Sequence, residues 1–265
     1  MITEEKEMKK GIIVIGLIAA AVMGISAGAS AAEEPKVSGF ASVDVMSNYV
    51  WRGIKVSNSW VLQPSVGIGY GGFAANIWGN YDSDVAEATS NGDTGHGEMS
   101  EVDVTLSYSK SFNKLTLGGG YIYYAFDGFN DTQEVFVTAA YDTLLSPALT
   151  VYYDYDEGNG AFIIASIGHT FKLPKDMSLK LGALASYNIE NGIMGFDEDG
   201  DKFSNFYNAE VNAALTIPVT KALSISPKLA YSFAISNDAK EAMRGLANDG
   251  RHDILYGGIN LTLSF

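Results

Sequence analysis

The chain holds few residues able to make or break covalent bonds. It has three histidines, His96, His169 and His252, and no cysteine. A hydroxyl nucleophile needs a base within hydrogen-bond reach. Thr170 follows His169 directly, but neighbours on a strand point to opposite faces, and the position two residues on is Phe171. His252 and Asp253 are adjacent in the same way. The sequence therefore predicts no catalytic residue and no enzyme. Without cysteine there is no disulfide scaffold and no zinc ribbon. No glycine-rich turn joins a strand to a helix, so no phosphate-bearing cofactor is expected. Asp197-Glu198-Asp199-Gly200-Asp201 starts like a calcium loop, yet its sixth position is Lys202 and its twelfth Asn208, where an EF-hand needs Gly and Glu. Asp197, Asp199 and Asp201 stay as loop candidates for loose cation binding, and no dedicated metal site is predicted.

The remaining polar chemistry recurs at every second residue. Glu101 and Asp103 share a face with Thr105 and Ser107, while Val102, Val104, Leu106 and Tyr108 take the other. Leu179, Leu181, Ala183, Ala185 and Tyr187 alternate with Lys180, Gly182, Ser186 and Asn188. Ile259, Leu261, Leu263 and Phe265 alternate with Asn260, Thr262 and Ser264. A period of two is the signature of strands with one wet and one apolar face. About twelve such segments are expected, at residues 37–51, 59–70, 73–81, 99–110, 114–125, 132–142, 148–155, 161–172, 178–188, 207–217, 223–234 and 253–265. Each approaches the roughly 10 residues that a tilted strand needs to cross a bilayer. The outward face of 161–172 is ambiguous, because Phe162 and Ile164 oppose Ile163 and Ile167.

Connections alternate in length. Those at 71–72, 111–113, 143–147, 173–177 and 218–222 are short, and those at 82–98, 189–206 and 235–252 are long. With both termini on the periplasmic side, every short turn falls there and every longer loop falls outside. A soluble β-sandwich also alternates, but its loop lengths need not. Lipid offers no hydrogen bonds, so strands survive in it only if the sheet closes on itself. The predicted fold is all-β: a transmembrane antiparallel up-and-down barrel in an outer membrane.

Composition agrees. Hydrophobic residues make up 47% and charged residues 18%, too apolar for disorder. A net charge of -14 excludes nucleic acid as a partner. Lys9 and Lys10 precede the apolar run 11–25 and the small residues Ala29-Ser30-Ala31. Residues 1–31 read as a signal peptide, with Met8 an alternative start to Met1, and residues 32–265 as the barrel. Lysines 110, 114, 172, 175 and 221 sit at short turns, whereas Asp82, Asp84, Glu87, Asp93 and Glu98 crowd one long loop. The acidic loops read first as solvated surface and second as cation bridges to lipopolysaccharide.

Parity places Asp44, Asn48, Glu101, Asp103, Glu134, Asp154, Lys180, Glu210, Asn212 and Lys228 toward the lumen, with acids in excess. Phe40, Trp78, Tyr124, Phe136 and Tyr152 point the same way, while Tyr49 and Trp51 are assigned to the outer aromatic belt. Arg52-Gly53 reads as a turn at the outer rim. Arg52 then either snorkels to the interface, the favoured reading, or reaches over the lumen toward Asp44 or Asp103.

The run Ser47-Asn48-Tyr49-Val50-Trp51-Arg52-Gly53-Ile54 resembles the first strand of the Gcw-chp family, proteobacterial outer-membrane proteins of unknown function. Gln63-Pro64-Ser65-Val66-Gly67 and Ala75-Asn76-Ile77-Trp78-Gly79-Asn80 extend the resemblance. It implies an outer-membrane barrel and brings no assigned ligand or catalytic residue. The expected function is porin-like passage of small hydrophilic solutes with cation preference. The alternative is a closed structural or surface-binding barrel. Expected partners are membrane lipid, lipopolysaccharide and, through Phe265, the barrel-assembly machinery.

Overall fold

The computed structural model describes residues 36–83, 97–247 and 249–265. The signal segment, Asp84, Glu87, Asp93 and His96 lie outside the described residues.

The wall comprises β1 (Ser38–Met46), β4 (Val61–Tyr70), β5 (Phe73–Asp82), β6 (Glu98–Phe112), β7 (Leu115–Phe126) and β8 (Thr132–Tyr141). It continues through β9 (Ala148–Asp154), β10 (Gly160–Lys172), β11 (Ser178–Ile189), β12 (Ser204–Pro218), β13 (Leu223–Ala234) and β14 (Asp253–Ser264). Each strand pairs with its sequence neighbours in the wall, and β1 closes against β14 into one twelve-strand antiparallel barrel. Closure runs from Phe40 opposite Ser264 to Met46 opposite Gly258. No strand of the wall has a free edge, which is the condition for surviving in hydrocarbon. Val45, Ile77, Leu106, Val137, Leu229 and Ile259 are exposed on the outside, the row that alternation assigns to lipid.

At one end the strands meet in the turns 71–72, 113–114, 142–147, 173–177 and 219–222, and at the other in the turns 127–131 and 155–159 and the long connections between β1 and β4, β5 and β6, β11 and β12, and β13 and β14. The long connections 47–60, 190–203 and 235–252 all fall at the second end, but 127–131 and 155–159 there are no longer than 142–147, so length alternates only in part. The first segment departs from its expected span. β1 stops at Met46, and the chain leaves the wall to form the small hairpin β2 (Val50–Trp51) and β3 (Ile54–Lys55). Tyr49 and Val50 are buried and Trp51 is half-buried, so Tyr49 and Trp51 belong to the interior and not to the outer belt. The loop between β13 and β14 carries helix α1 (Asn237–Leu246). Ser236 caps it by accepting a hydrogen bond from the Ala239 amide at 3.1 Å. Ala239, Ala242 and Met243 form its buried face.

The apolar core lies inside the barrel, toward the long-loop end. One cluster joins Ile54 of the hairpin to Tyr124, Phe136, Tyr152, Phe162 and Tyr207 of the wall and to Met194, Phe203 and Met243 of the loops. A second joins Met46, Tyr49, Val50, Val61, Ile254 and Tyr256. The ambiguous face of 161–172 is settled here, with Phe162 fully buried inside and Ile167 exposed outside. Burying a side chain of this size stabilises by about 1.5–3 kcal/mol.

Candidate functional site

Two neighbouring residues with positive φ begin the site. Arg52 (φ 49) and Gly53 (φ 86) form the two-residue tip of the β2–β3 hairpin. Positive φ at both positions matches the twist of a tight hairpin. A Cβ on Gly53 would lie 2.9 Å from the Asn208 side chain, so the tip approaches β12 closely enough to require glycine. The hairpin base is tied by its own polar groups. Ser57 Oγ accepts from the Tyr49 amide at 3.0 Å, and Asn48 Nδ2 donates to the Ser57 carbonyl at 3.2 Å. Asn48 therefore closes the hairpin and does not stand on the wall.

The tip carries Arg52 into the lumen. Its guanidinium donates from Nη1 to Glu134 Oε1 at 2.8 Å and from Nη2 to Oε2 at 2.6 Å. Both side chains are essentially inaccessible. The Tyr124 hydroxyl also donates to Glu134 Oε2, at 2.9 Å. The rings of Trp51, Tyr152 and Phe162 surround the guanidinium carbon at 4.5, 4.7 and 4.7 Å. Met194 Sδ lies 3.9 Å from Nη1, held there because the Tyr207 hydroxyl donates to the Met194 carbonyl at 2.8 Å. Arg52 thus neither snorkels nor meets Asp44 or Asp103; its partner is Glu134. A forked cation matched to a carboxylate and flanked by rings is the geometry in which arginine is not replaceable by lysine.

Other loops cover this hairpin. α1 packs on β3, and Lys55 pairs with Asp249 at 2.6 Å. Burial pushes the Asp249 carboxyl up, but Lys55, the Arg251 amide and nearby positive charge outweigh it and leave the group below the ordinary carboxylate range. A Cβ on Gly195 would meet Ala242 at 2.8 Å, so the 190–203 loop also lies against the helix. The hairpin, α1 and the 190–203 loop thus pack together at the long-loop end.

The remaining sequence-designated wall residues face inward as parity requires. Asp44 accepts from Lys228 Nζ at 2.6 Å and from Asn260 at 3.0 Å. Glu210 accepts from the Tyr256 hydroxyl at 2.8 Å and from Asn212 at 3.1 Å. Asp154 accepts from Thr132 at 2.7 Å and from the amides of Asp156 and Gly158 at 2.9 and 3.0 Å, so it shapes the 155–159 loop. Glu101 is buried, and Asp103 beside it has one oxygen without a hydrogen-bond partner. Nearer the short-turn end most inward positions are small or polar, with half-buried Phe40 and Leu184 the large apolar exceptions. Thr138, Ser166, Gly168, Thr170, Gly182 and Thr216 are half-buried, with no apolar side chain stacked among them in either core cluster.

The loop and histidine candidates stand apart. Asp197 Oδ1 accepts from the amides of Asp199 and Asp201 at 3.0 and 2.9 Å, so its carboxylate serves the turn itself. Among the described residues no group of three or more His, Asp or Glu side chains could hold a metal. His169 donates to the Leu144 carbonyl at 2.7 Å and stacks edge-on against Phe171. His252 lies 3.6 Å from Asp253 at the rim.

Sequence reasoning missed the apolar cluster that the hairpin and loops build inside the barrel. Met194, Phe203 and Met243 fall in the connections 189–206 and 235–252, where alternation assigns no face. The signal for α1 was present in Ser236 ahead of Ala239, Ala242 and Met243, whose spacing of three and four residues is helical.

No protein-family model matches the chain, and no curated protein matches it in sequence. Solved structures do match it in shape. The NanC porin is 13% identical, with 85% of this chain covering 98% of that one at a TM-score of 0.50. An outer membrane channel from Pseudomonas putida F1 is 12% identical, with 89% of this chain covering 97% of that one at a TM-score of 0.52. At such identities the likeness is one of fold, and the fold is that of an outer-membrane β-barrel.

Proposed function

We propose that the chain is a plug-gated outer-membrane channel for small hydrophilic solutes with a preference for cations, seen here closed, and not an enzyme. The observation that carries this reading is the division of the lumen. Its short-turn half is a mostly polar vestibule, and its other half is stoppered by a hairpin latched to the wall through the Arg52–Glu134 ion pair. A vestibule lined mostly by Ser, Thr and Gly, with Phe40 and Leu184 among them, presents water with largely hydrogen-bonding walls. The inward acids Asp44, Glu101, Asp103 and Glu210 exceed the inward bases Lys180 and Lys228 once Arg52 and Glu134 are set against each other. In a low-dielectric wall that excess draws cations. The fold shared with a porin and a channel supports the reading. Planar-bilayer recording of the purified barrel tests it. Rare cation-selective openings are expected, becoming frequent in Arg52→Ala. Silence from both proteins, or anion selectivity, rejects the reading.

A second reading has its own observation. The dry core around Met194, Phe162 and Tyr207 is what a permanently closed barrel would hold. Such a barrel would act through its outer loops, binding cations, lipopolysaccharide or a partner. Silent Arg52→Ala barrels favour it. The Gcw-chp resemblance of Ser47 to Ile54 fits either reading, since those residues build the stopper. Phe265, whose amide and carbonyl exchange hydrogen bonds with Gly39 at 2.9 and 2.7 Å, is proposed as the contact for the assembly machinery.

A further inference from the structure

The wall around the Arg52 head group is a site in its own right. Tyr124, Glu134, Tyr152 and Phe162 come from the adjacent strands β7, β8, β9 and β10. Register brings them together, since Glu134 lies opposite Ile122 and Asp154, and Tyr152 lies opposite Phe136 and Phe162. A carboxylate already oriented by a tyrosine hydroxyl offers two parallel acceptors, and two rings lie within 4.7 Å of the bound cation's centre. All four side chains are buried and stand on wall strands, none on the hairpin.

The wall reads the head group alone. Both terminal nitrogens of Arg52 are engaged, whereas Nε, where the rest of the side chain attaches, has no hydrogen-bond partner. A charged pair is also an uneconomical way merely to fix a plug. Well-packed apolar residues often hold a buried contact as well or better, and in some proteins buried ionic groups are retained for specificity or switching.

We infer that Glu134, Tyr124, Tyr152 and Phe162 form a binding site for guanidinium-bearing organic cations, which Arg52 occupies as a tethered ligand. The inference rests on the channel reading and names its solute class. A free guanidinium takes the place of Arg52 when the hairpin lifts, so the solute itself stabilises the open barrel. Planarity, delocalised charge and the two-toothed match to a carboxylate select guanidinium over a compact ammonium. A tethered ligand competes at an effective concentration of order millimolar for a short linker, so the native barrel responds only to solute at or above that level.

Calorimetric titration of the whole detergent-folded barrel with methylguanidinium chloride tests this. Arg52→Ala is expected to bind at least tenfold more tightly than the native protein. Methylammonium at equal ionic strength is expected to bind at least tenfold more weakly, and Arg52→Ala with Glu134→Gln not at all. Heat-shifted electrophoretic mobility verifies that each barrel is folded. If Arg52→Ala does not fold, Arg52→Lys takes its place, because an ammonium is the weaker occupant and methylguanidinium should displace it. Absence of binding to the folded variant, or binding unaltered by Glu134→Gln, overturns the inference. The channel reading is scored separately by conductance. Binding without conductance rejects the channel and keeps the site, and conductance without binding does the reverse.

Discussion

The two ends of the lumen are built on the same strands but by opposite rules. Along β7 the inward residues near the short turns are Thr116, Gly118 and Gly120, and near the long loops they are Ile122 and Tyr124. Along β10 the corresponding series runs from Thr170, Gly168 and Ser166 to Phe162. Small polar side chains leave room and hydrogen-bond water. Large apolar ones need partners, and the partners come from Met194, Phe203 and Met243 in the loops and from the β2–β3 hairpin. A barrel between the eight strands that fill completely and the sixteen that leave a channel has room for either treatment. This one applies each at a different height.

The comparison breaks most readily at the latch. Arg52→Ala leaves Glu134 buried without its cation, and removing one partner of such a pair costs about 3–5 kcal/mol. The closed state should weaken by two orders of magnitude or more in the ratio of open to closed barrels, read as open probability in planar bilayers. Replacing both partners, Arg52→Met with Glu134→Gln, should recover much of the closure. Next comes the helix. Met243→Ala removes a fully buried side chain from α1 and is expected to cost about 2–5 kcal/mol. Its readout is hydrogen exchange confined to α1 and the hairpin, with the wall strands unchanged. Gly53→Ala forces an L side chain into positive φ against Asn208, for about 1–3 kcal/mol.

How much of this the sequence discloses depends on which force set each residue. Lipid enforces strict alternation, so Leu179 to Asn188 and Ile259 to Ser264 announce a wall strand and its two faces. The inward acids follow from the same parity. Arg52 does not, because its position is fixed by a chain that leaves the ladder at Met46, and parity counting carries on through Tyr49 and Trp51 as if the strand did. Gly53 was legible as a turn, since glycine there permits positive φ, but a turn signal does not say whether the tip points outward or into the lumen. The pairing of Arg52 with Glu134 spans 82 residues. No local pattern encodes it.

Acid should act on the stopper more gently. Asp249 titrates below its ordinary value when folded, so its contribution is present above the unfolded carboxylate range and is lost as pH falls through the folded value. Lowering pH below the usual aspartate range should loosen the Lys55–Asp249 tie and raise open probability modestly, an effect absent in Asp249→Asn. The smallest expected change lies in the vestibule. Asp44 and Lys228 retain some exposure, and partly solvated pairs contribute about 1 kcal/mol or less. Asp44→Asn should lower cation preference and Lys228→Gln should raise it, both without altering closure.

The division of the lumen can be read directly, because the chain has no native cysteine. Ser166→Cys reports the vestibule and Ile122→Cys the stoppered end, each challenged with a membrane-impermeant thiol reagent on folded barrels. Ser166→Cys should react rapidly with Arg52 in place. Ile122→Cys should react only when Arg52→Ala is added. Rapid labelling of Ile122→Cys with the latch intact, or protection of Ser166→Cys, would contradict a wet vestibule beneath a latched plug.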